Sequence, residues 1–468
     1  MTLLERVADY AFSLTPDKIT PEVREIGKSF FVDCLGCIIA GAHAKPSMIA
    51  LQYCREMYGE REGGAAVLTT GGIRMNTCSA AFLNGIASHF HDYDDMLPTL
   101  SGHPSAAVLP AVLALCEEFN KSGAEALHHY IVGVEVVDVM ARGLNQKSMV
   151  HYSKGWHSTE SIGIFGATAA CGLLLGLNRE QMVNALSMAA SESSGLQGNF
   201  GTMTKAFHAG RANEKAILIA KMAKLGFGAN PDILEMRGGF VEATTGEIDK
   251  EYMFEKMESG VSCFIDPGIT MKPYPCCKCN HNIIDAAWSL IEQYHITDDD
   301  VESVLVRAQP LTVGCLKYGV AKTALEGKFS ANYNIAVPLV YGHRPGIKDF
   351  EGAEITDPKL IRCMEKVTMI TDDELAGGKY FNGTWDTPVE ITLKDGRVVK
   401  DHAVYARGES QNPMKGPEVI EKLRECMAIT LFPEKSEPVV AMLENLEGLQ
   451  SVRELTAAIE AAARPLQR

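Results

Sequence analysis

A mainly α fold is what this chain predicts, an all-helical domain joined to a smaller α+β lid domain. Three observations carry that reading. Up to about Phe264 one helical pattern follows another, after Pro267 short alternating stretches enter, and from Pro417 helical patterning resumes. At 468 residues the chain is long for one hydrophobic core, which argues separately for two domains. The boundaries read as 1–265 for the helical domain, 266–405 for the lid, and 406–468 for C-terminal helices that return to the first domain.

Taken in order, Met1–Leu14 sets Glu5, Arg6 and Asp9 within an apolar pattern. It reads as an amphipathic helix and lacks the unbroken core of a signal peptide. Pro21 opens a helix through Phe30, Cys34 and Leu35, with proline at the first helical position. Pro104–Glu118, His128–Leu144, Arg179–Ala190 and Ala212–Leu225 repeat the style. The apolar stretch Ser161–Leu177, rich in Gly and Ala, is too short to span a bilayer and suits a closely packed buried helix. Beyond Pro267, Val301–Val306 alternates like a strand. Val389–Leu393, Asp395-Gly396 and Arg397–Val399 together read as a hairpin. Pro417–Met427 and Pro438–Ala462 close the chain as helices.

A formal net charge of -15 disfavours nucleic acid as a partner, since phosphate binding needs a basic face. It leaves room for a small anionic ligand in a locally positive pocket. No membrane association is expected, and thirteen cysteines without framework spacing suit a reducing, cytoplasmic setting. Most of those thiols, such as Cys34, Cys37, Cys116 and Cys171, fall in apolar helical patterns and read as small core residues. No phosphate-binding, dinucleotide or G-x-S-x-G motif is present, so chemistry must come from scattered polar residues.

Four segments concentrate such residues. His91-Asp92-Tyr93-Asp94-Asp95 leads to Gly102-His103-Pro104 between two helical patterns, where a carboxylate could hold an imidazole for acid/base work. The plainer reading makes His103 a helix cap and leaves Asp95 solvated. Gly155–Glu160 places His157 at a helix start, or, more plainly, against a core Trp156. Thr204–Arg211 sets Lys205, His208 and Arg211 ahead of a helix, as a carboxylate-binding group or as a solvated basic turn. The fourth is Lys272-Pro-Tyr-Pro-Cys-Cys-Lys-Cys-Asn-His281, a stiff strip that its two prolines keep from being helical. Cys276-x-x-Cys279 with His281 has the spacing of a metal knuckle but lacks a second pair. A carboxylate-binding strip of Lys272, Lys278 and His281 is the stronger reading.

Together these segments resemble the MmgE/PrpD family. The resemblance is carried by Asp92-Tyr-Asp-Asp with Gly102-His-Pro-Ser, Gly155-Trp-His-Ser-Thr, Thr204-Lys-x-x-His-x-Gly-Arg, Lys272-Pro-Tyr-Pro-x-Cys-Lys-x-x-His281 and Lys328-Phe-Ser, in family order over most of the chain. It implies a homodimeric enzyme without metal or organic cofactor, acting on a small di- or tricarboxylate in the cleft between helical domain and lid. Carried over by position, Asp92, His103, His157 and Lys205 are the catalytic candidates, and Lys272, Cys277, Lys278 and His281 the substrate-binding ones. Cys277 stands where the decarboxylase pattern has a histidine, and Lys278 where a bacterial branch has arginine. The family's Tyr does not align cleanly with Tyr318.

The shared chemistry is proton abstraction beside a carboxylate, with nearby cations stabilising the charge that develops. The expected order is dehydration of the 2-methylcitrate dehydratase kind, then epimerisation of the iminodisuccinate epimerase kind, then cis-aconitate-type decarboxylation. From other classes, a metal-dependent hydratase using Cys276, Cys277 and Cys279 and a non-catalytic carboxylate binder stay open.

Overall fold

A computed structural model describes residues 1–352, 354–375 and 386–466. The helix Pro21–Gly41 shows how the larger part is built. Thr20 caps it by accepting from the Val23 N–H, and Pro21 occupies the first turn, where its missing donor costs nothing. From Phe30 to Gly41 every residue is buried, so this is a central helix with no solvent face. Pro104–Glu118 and Gly163–Leu174 are buried almost as completely. Gly163–Leu174 packs so closely that a Cβ on Gly166 would lie 2.2 Å from the Gly133 carbonyl oxygen of the helix Gly123–Asn145.

Two helices start earlier than expected. Gly123–Asn145 begins five residues before His128, because Ser122 and Glu125 form a capping box. Thr204–Lys224 begins eight residues before Ala212, so Lys205, His208 and Arg211 lie on its first turns and not in a turn ahead of it. Gly210, which invites a break in the sequence, serves packing instead. A Cβ there would lie 2.7 Å from the Phe82 carbonyl oxygen, and one on Gly85 would lie 2.8 Å from the Gly210 Cα. The helix Thr77–Phe90 therefore crosses Thr204–Lys224 backbone to backbone, which brings Lys205 beside the loop that follows Phe90.

The α+β part has its own core of Ile283, Ile284, Leu290, Val304, Val306 and Ile391. Its sheet runs in the order Val367–Thr371, Val301–Ala308, Val389–Leu393, Val398–Asp401. The middle pair is antiparallel with Val304 opposite Ile391, and the predicted hairpin pairs Ile391 with Val399. Gly396 takes the positive φ of 88° that its tight turn needs. Val367–Thr371, which pairs in parallel with Val301–Ala308, was not foreseen: its buried, intermediate and exposed residues follow no alternation. The helices His281–Tyr294 and Ala331–Tyr341 pack against this sheet.

The last helices share the core of the first. Leu423 and Cys426 of Gly416–Thr430 lie over Gly36, and buried Lys422 pairs with buried Asp33 at 2.5 Å. The single helix expected over Pro438–Ala462 is two, Pro433–Glu444 and Val452–Ala462. The break falls at Asn445–Ser451, where the Ser451 side chain caps the second. Pro438 sits inside the first of these and does not start it. Cys34, Cys37, Cys116 and Cys171 are all buried. No single helix among the described residues is long and apolar enough to cross a membrane.

Candidate active site

The loop between Phe90 and Pro104 is buried almost throughout, which its five polar residues from His91 to Asp95 would not suggest. It leaves the helix through Asp92, whose φ of 53° is the left-handed conformation that ends many helices and that Asp tolerates better than most residues. Asp92 Oδ1 accepts from the Lys205 ammonium at 2.7 Å and from the Lys272 ammonium at 2.8 Å, and Lys272 also reaches the Asp92 carbonyl at 3.0 Å. One carboxylate oxygen thus joins the loop, the helix Thr204–Lys224 and the lid-side strip. Burial pushes the Asp92 carboxyl up, but Lys205 and Lys272, with His103 and His89, overcome it and hold it well below the usual carboxylate range. The Lys272 ammonium, penalised by burial, is raised by Asp92 and Asp94.

His103 is held from behind. Its Nδ1 lies 2.7 Å from the Asp95 carbonyl oxygen and 3.3 Å from Asp94 Oδ2. A carbonyl only accepts, so Nδ1 carries the hydrogen and Nε2 keeps its lone pair. That bare nitrogen lies 3.6 Å from Asp92 Oδ1, and His103 lines the cavity. Burial depresses the ring's pKa well below 6.5, outweighing Asp94, so His103 is neutral near pH 7. Asp94 Oδ2 also meets His89 Nδ1 at 2.8 Å. Asp95 is buried rather than solvated, its carboxylate bonded to the Ser105 N–H at 3.2 Å and to the Ser105 hydroxyl.

His157, the N-terminal neighbour of Ser158–Ser161, places its ring 6.5 Å from that of His103. It also stacks on His89, with centroids 5.5 Å apart. Trp156 stacks on His151 instead, so the core-tryptophan alternative for His157 does not hold. One cavity is lined by Asp92, His103, His157, Lys205, Lys272, Cys277 and Lys278, walled by Tyr152, Phe200 and Phe329.

The sequence matches the MmgE/PrpD N-terminal domain over residues 5–253 and the C-terminal domain over 274–447. The chain belongs to the MmgE/PrpD family. Among similar proteins, human cis-aconitate decarboxylase is 26% identical over 99% of this chain and 96% of its own length. The mitochondrial 2-methylcitrate dehydratase of Yarrowia lipolytica is 25% identical over 90% of this chain and 82% of its own. The 2-methylcitrate dehydratase of Escherichia coli is 23% identical, over 84% and 83%. These relatives are lyases by name.

Within this MmgE/PrpD chain, seven of the eight candidate residues meet at the cavity and one does not. His281 is fully buried, turns Nε2 toward the Cys276 carbonyl at 3.4 Å and packs against Tyr274. It sits at the first turn of a helix, where burial and the nearby Lys278 and Lys272 charges hold its pKa well below 6.5. Lys278 lines the cavity but is paired with Glu409 at 2.6 Å and donates to Asn282 at 2.9 Å. Asp92, expected to orient a histidine, bridges two lysines, and Asp94 with the Asp95 carbonyl does the orienting. Tyr318 lies half-buried, donating to the Phe200 carbonyl at 3.2 Å. His89 was missed: nothing in an apolar helix ending at Phe90 marks one histidine as a partner of Asp94, five residues on. Lys328, noted in the sequence only as part of the Lys328-Phe-Ser motif, donates to the carbonyls of His91 at 2.6 Å and Pro275 at 2.8 Å. Burial drives its pKa down to about 7.

The donor atoms of His89, Asp92, Asp94 and His103 lie within 4.8 Å of one another, as a metal site requires. Two ammonium groups already occupy Asp92 Oδ1, however, and a divalent ion there would be a third cation beside them. Cys276 and Cys279 offer no matching alternative, because Cys276 is buried outside the cavity lining.

Proposed function

We propose that this MmgE/PrpD enzyme is a cofactor-independent lyase that removes a proton next to a carboxylate of a small di- or tricarboxylate and expels water. The observation that carries this reading is His103: a neutral imidazole with its Nε2 lone pair toward a cavity that also holds the Lys205 and Lys272 ammonium groups. His103 takes the proton, and its imidazolium then gives a proton to the departing hydroxyl, which leaves as water. The two lysines, only one of whose charges Asp92 balances, hold the carboxylate on which charge develops, and His157 meets the oxygen side of the substrate. A water-poor site strengthens each of these interactions.

Delivery of a solvent-exchanged proton to the other face of the carbon, from a donor opposite His103, would give epimerisation and remains the second reading. Decarboxylation ranks last because Cys277, a thiol, lines the cavity where the decarboxylase pattern has a histidine. Proton NMR of a di- and tricarboxylate panel in deuterated water separates the three. Elimination gives an alkene read from vinylic or allylic protons, epimerisation gives deuterium at an intact sp3 carbon, and decarboxylation gives a product one carbon shorter. No change in any acid of the panel would sink the reading. Chelator treatment should leave the rate intact. Loss of turnover that tracks loss of stoichiometric metal would replace this mechanism with metal-assisted hydration.

A further inference from the structure

Behind the cavity two imidazoles meet nitrogen to nitrogen. His157 Nδ1 and His208 Nδ1 are 2.9 Å apart, a hydrogen-bond distance at which one ring donates and the other accepts. Both rings are neutral near pH 7. Burial lowers His157 well below 6.5, and burial with His89, Lys205 and Lys215 brings His208 down to about 4. A single hydrogen therefore sits between them. On the far side of the ring, His157 Nε2 is buried without a partner among the described residues. His157 lines the cavity, and the position of the shared hydrogen decides whether its Nε2 carries an N–H or a lone pair.

The rest of the site favours one answer. His103 already presents a lone pair, because its Nδ1 hydrogen is committed to the Asp95 carbonyl. An anionic substrate held by Lys205 and Lys272 would be repelled by a second lone pair and attracted by an N–H. We propose that His208 is a positioning residue that donates its Nδ1 hydrogen to His157 and so holds His157 as the Nε2–H tautomer, a neutral hydrogen-bond donor to the substrate oxygen opposite the His103 base. No proton is transferred through the pair. The donor stabilises oxygen on which negative charge grows, as neutral histidines do in enolising enzymes. This deepens the lyase reading and rests on it for the identity of the acceptor, though not for the tautomer.

The test is 15N NMR of histidine-labelled protein, with His157 assigned by comparison with His157→Gln. Wild type should show a protonated Nε2 and an accepting Nδ1 at His157. His208→Phe, which removes the donor, should lose that pattern and lower kcat about 100-fold with KM little changed. His208→Asn places an amide N–H where Nδ1 stood and should recover both the tautomer and most of kcat. A wild-type His157 protonated on Nδ1 overturns the proposal. So does a folded His208→Phe protein with wild-type tautomer and kcat. If His208→Phe does not fold, the wild-type and His208→Asn spectra still decide. If no acid of the panel turns over, the lyase reading fails while the spectra decide the tautomer independently.

Discussion

Lys205 is the residue at which charge and packing can be separated. Its ammonium shares Asp92 Oδ1 with Lys272, and the rings of Phe200 and Phe329 lie 5.3 and 5.2 Å from it. Truncation to alanine leaves Asp92 paired with Lys272, so no buried charge is stranded and the fold should survive. If the ammonium stabilises charge on the substrate, kcat/KM should fall by the equivalent of about 2–4 kcal/mol. A melting temperature close to wild type with kcat/KM unchanged across the carboxylate panel would place Lys205 outside the chemistry. The same residue shows what local sequence conveys. A lysine, a histidine and an arginine within seven positions mark a basic segment. That two of them face different partners, Asp92 and His157, follows from the segment being helical.

At the scale of elements, the site depends on two glycines with no chemistry of their own. Thr77–Phe90 and Thr204–Lys224 cross at Gly85 and Gly210, and that contact sets the distance between the Asp92 loop and Lys205. Gly210→Ala would bring a methyl group to 2.7 Å from the Phe82 carbonyl oxygen and 2.8 Å from Ile86 Cγ1. Backbone cannot yield as a flexible side chain would, so the helices must part. The expected cost is about 1–3 kcal/mol of stability, with turnover falling as Lys205 and His208 withdraw. Equal stability and rate for Gly210→Ala, read from denaturant unfolding and kcat/KM, would show that the crossing is not what positions the site.

Across the whole molecule, the buried histidines set the response to acid. His91, lowered to about 3, and His208, lowered to about 4, are joined by His89, His103, His157 and His281, all lowered chiefly by burial. Each is neutral in the folded chain at a pH where the unfolded chain, with histidine near 6.5, has taken a proton. The unfolded state then binds more protons, so stability falls as pH drops below about 6.5, by about 1.4 kcal/mol per unit for each such histidine. Urea midpoints from pH 7.5 to 5.0 should show this loss. A flat profile would mean that the rings are charged or open to water in the folded state.

By itself the sequence determined what short-range chemistry determines. Pro21 and Pro104 start helices where they stand, Asp395-Gly396 turns a hairpin, and the four polar segments carry the family. Capping box Ser122-x-x-Glu125 was readable too, although the periodic pattern pointed to a later start. Only the tertiary structure decided which polar groups face one another. Lys205 and Lys272 lie 113 and 180 positions from Asp92, the carboxylate they share, and no local rule pairs them. It also decided that His281 turns from the cavity, that Asp94 and not Asp92 backs His103, and that His208 meets His157. The physical reason is that these contacts depend on how closely helices approach at Gly85 and Gly210, a distance set by packing over the whole core and written in no single stretch of the chain.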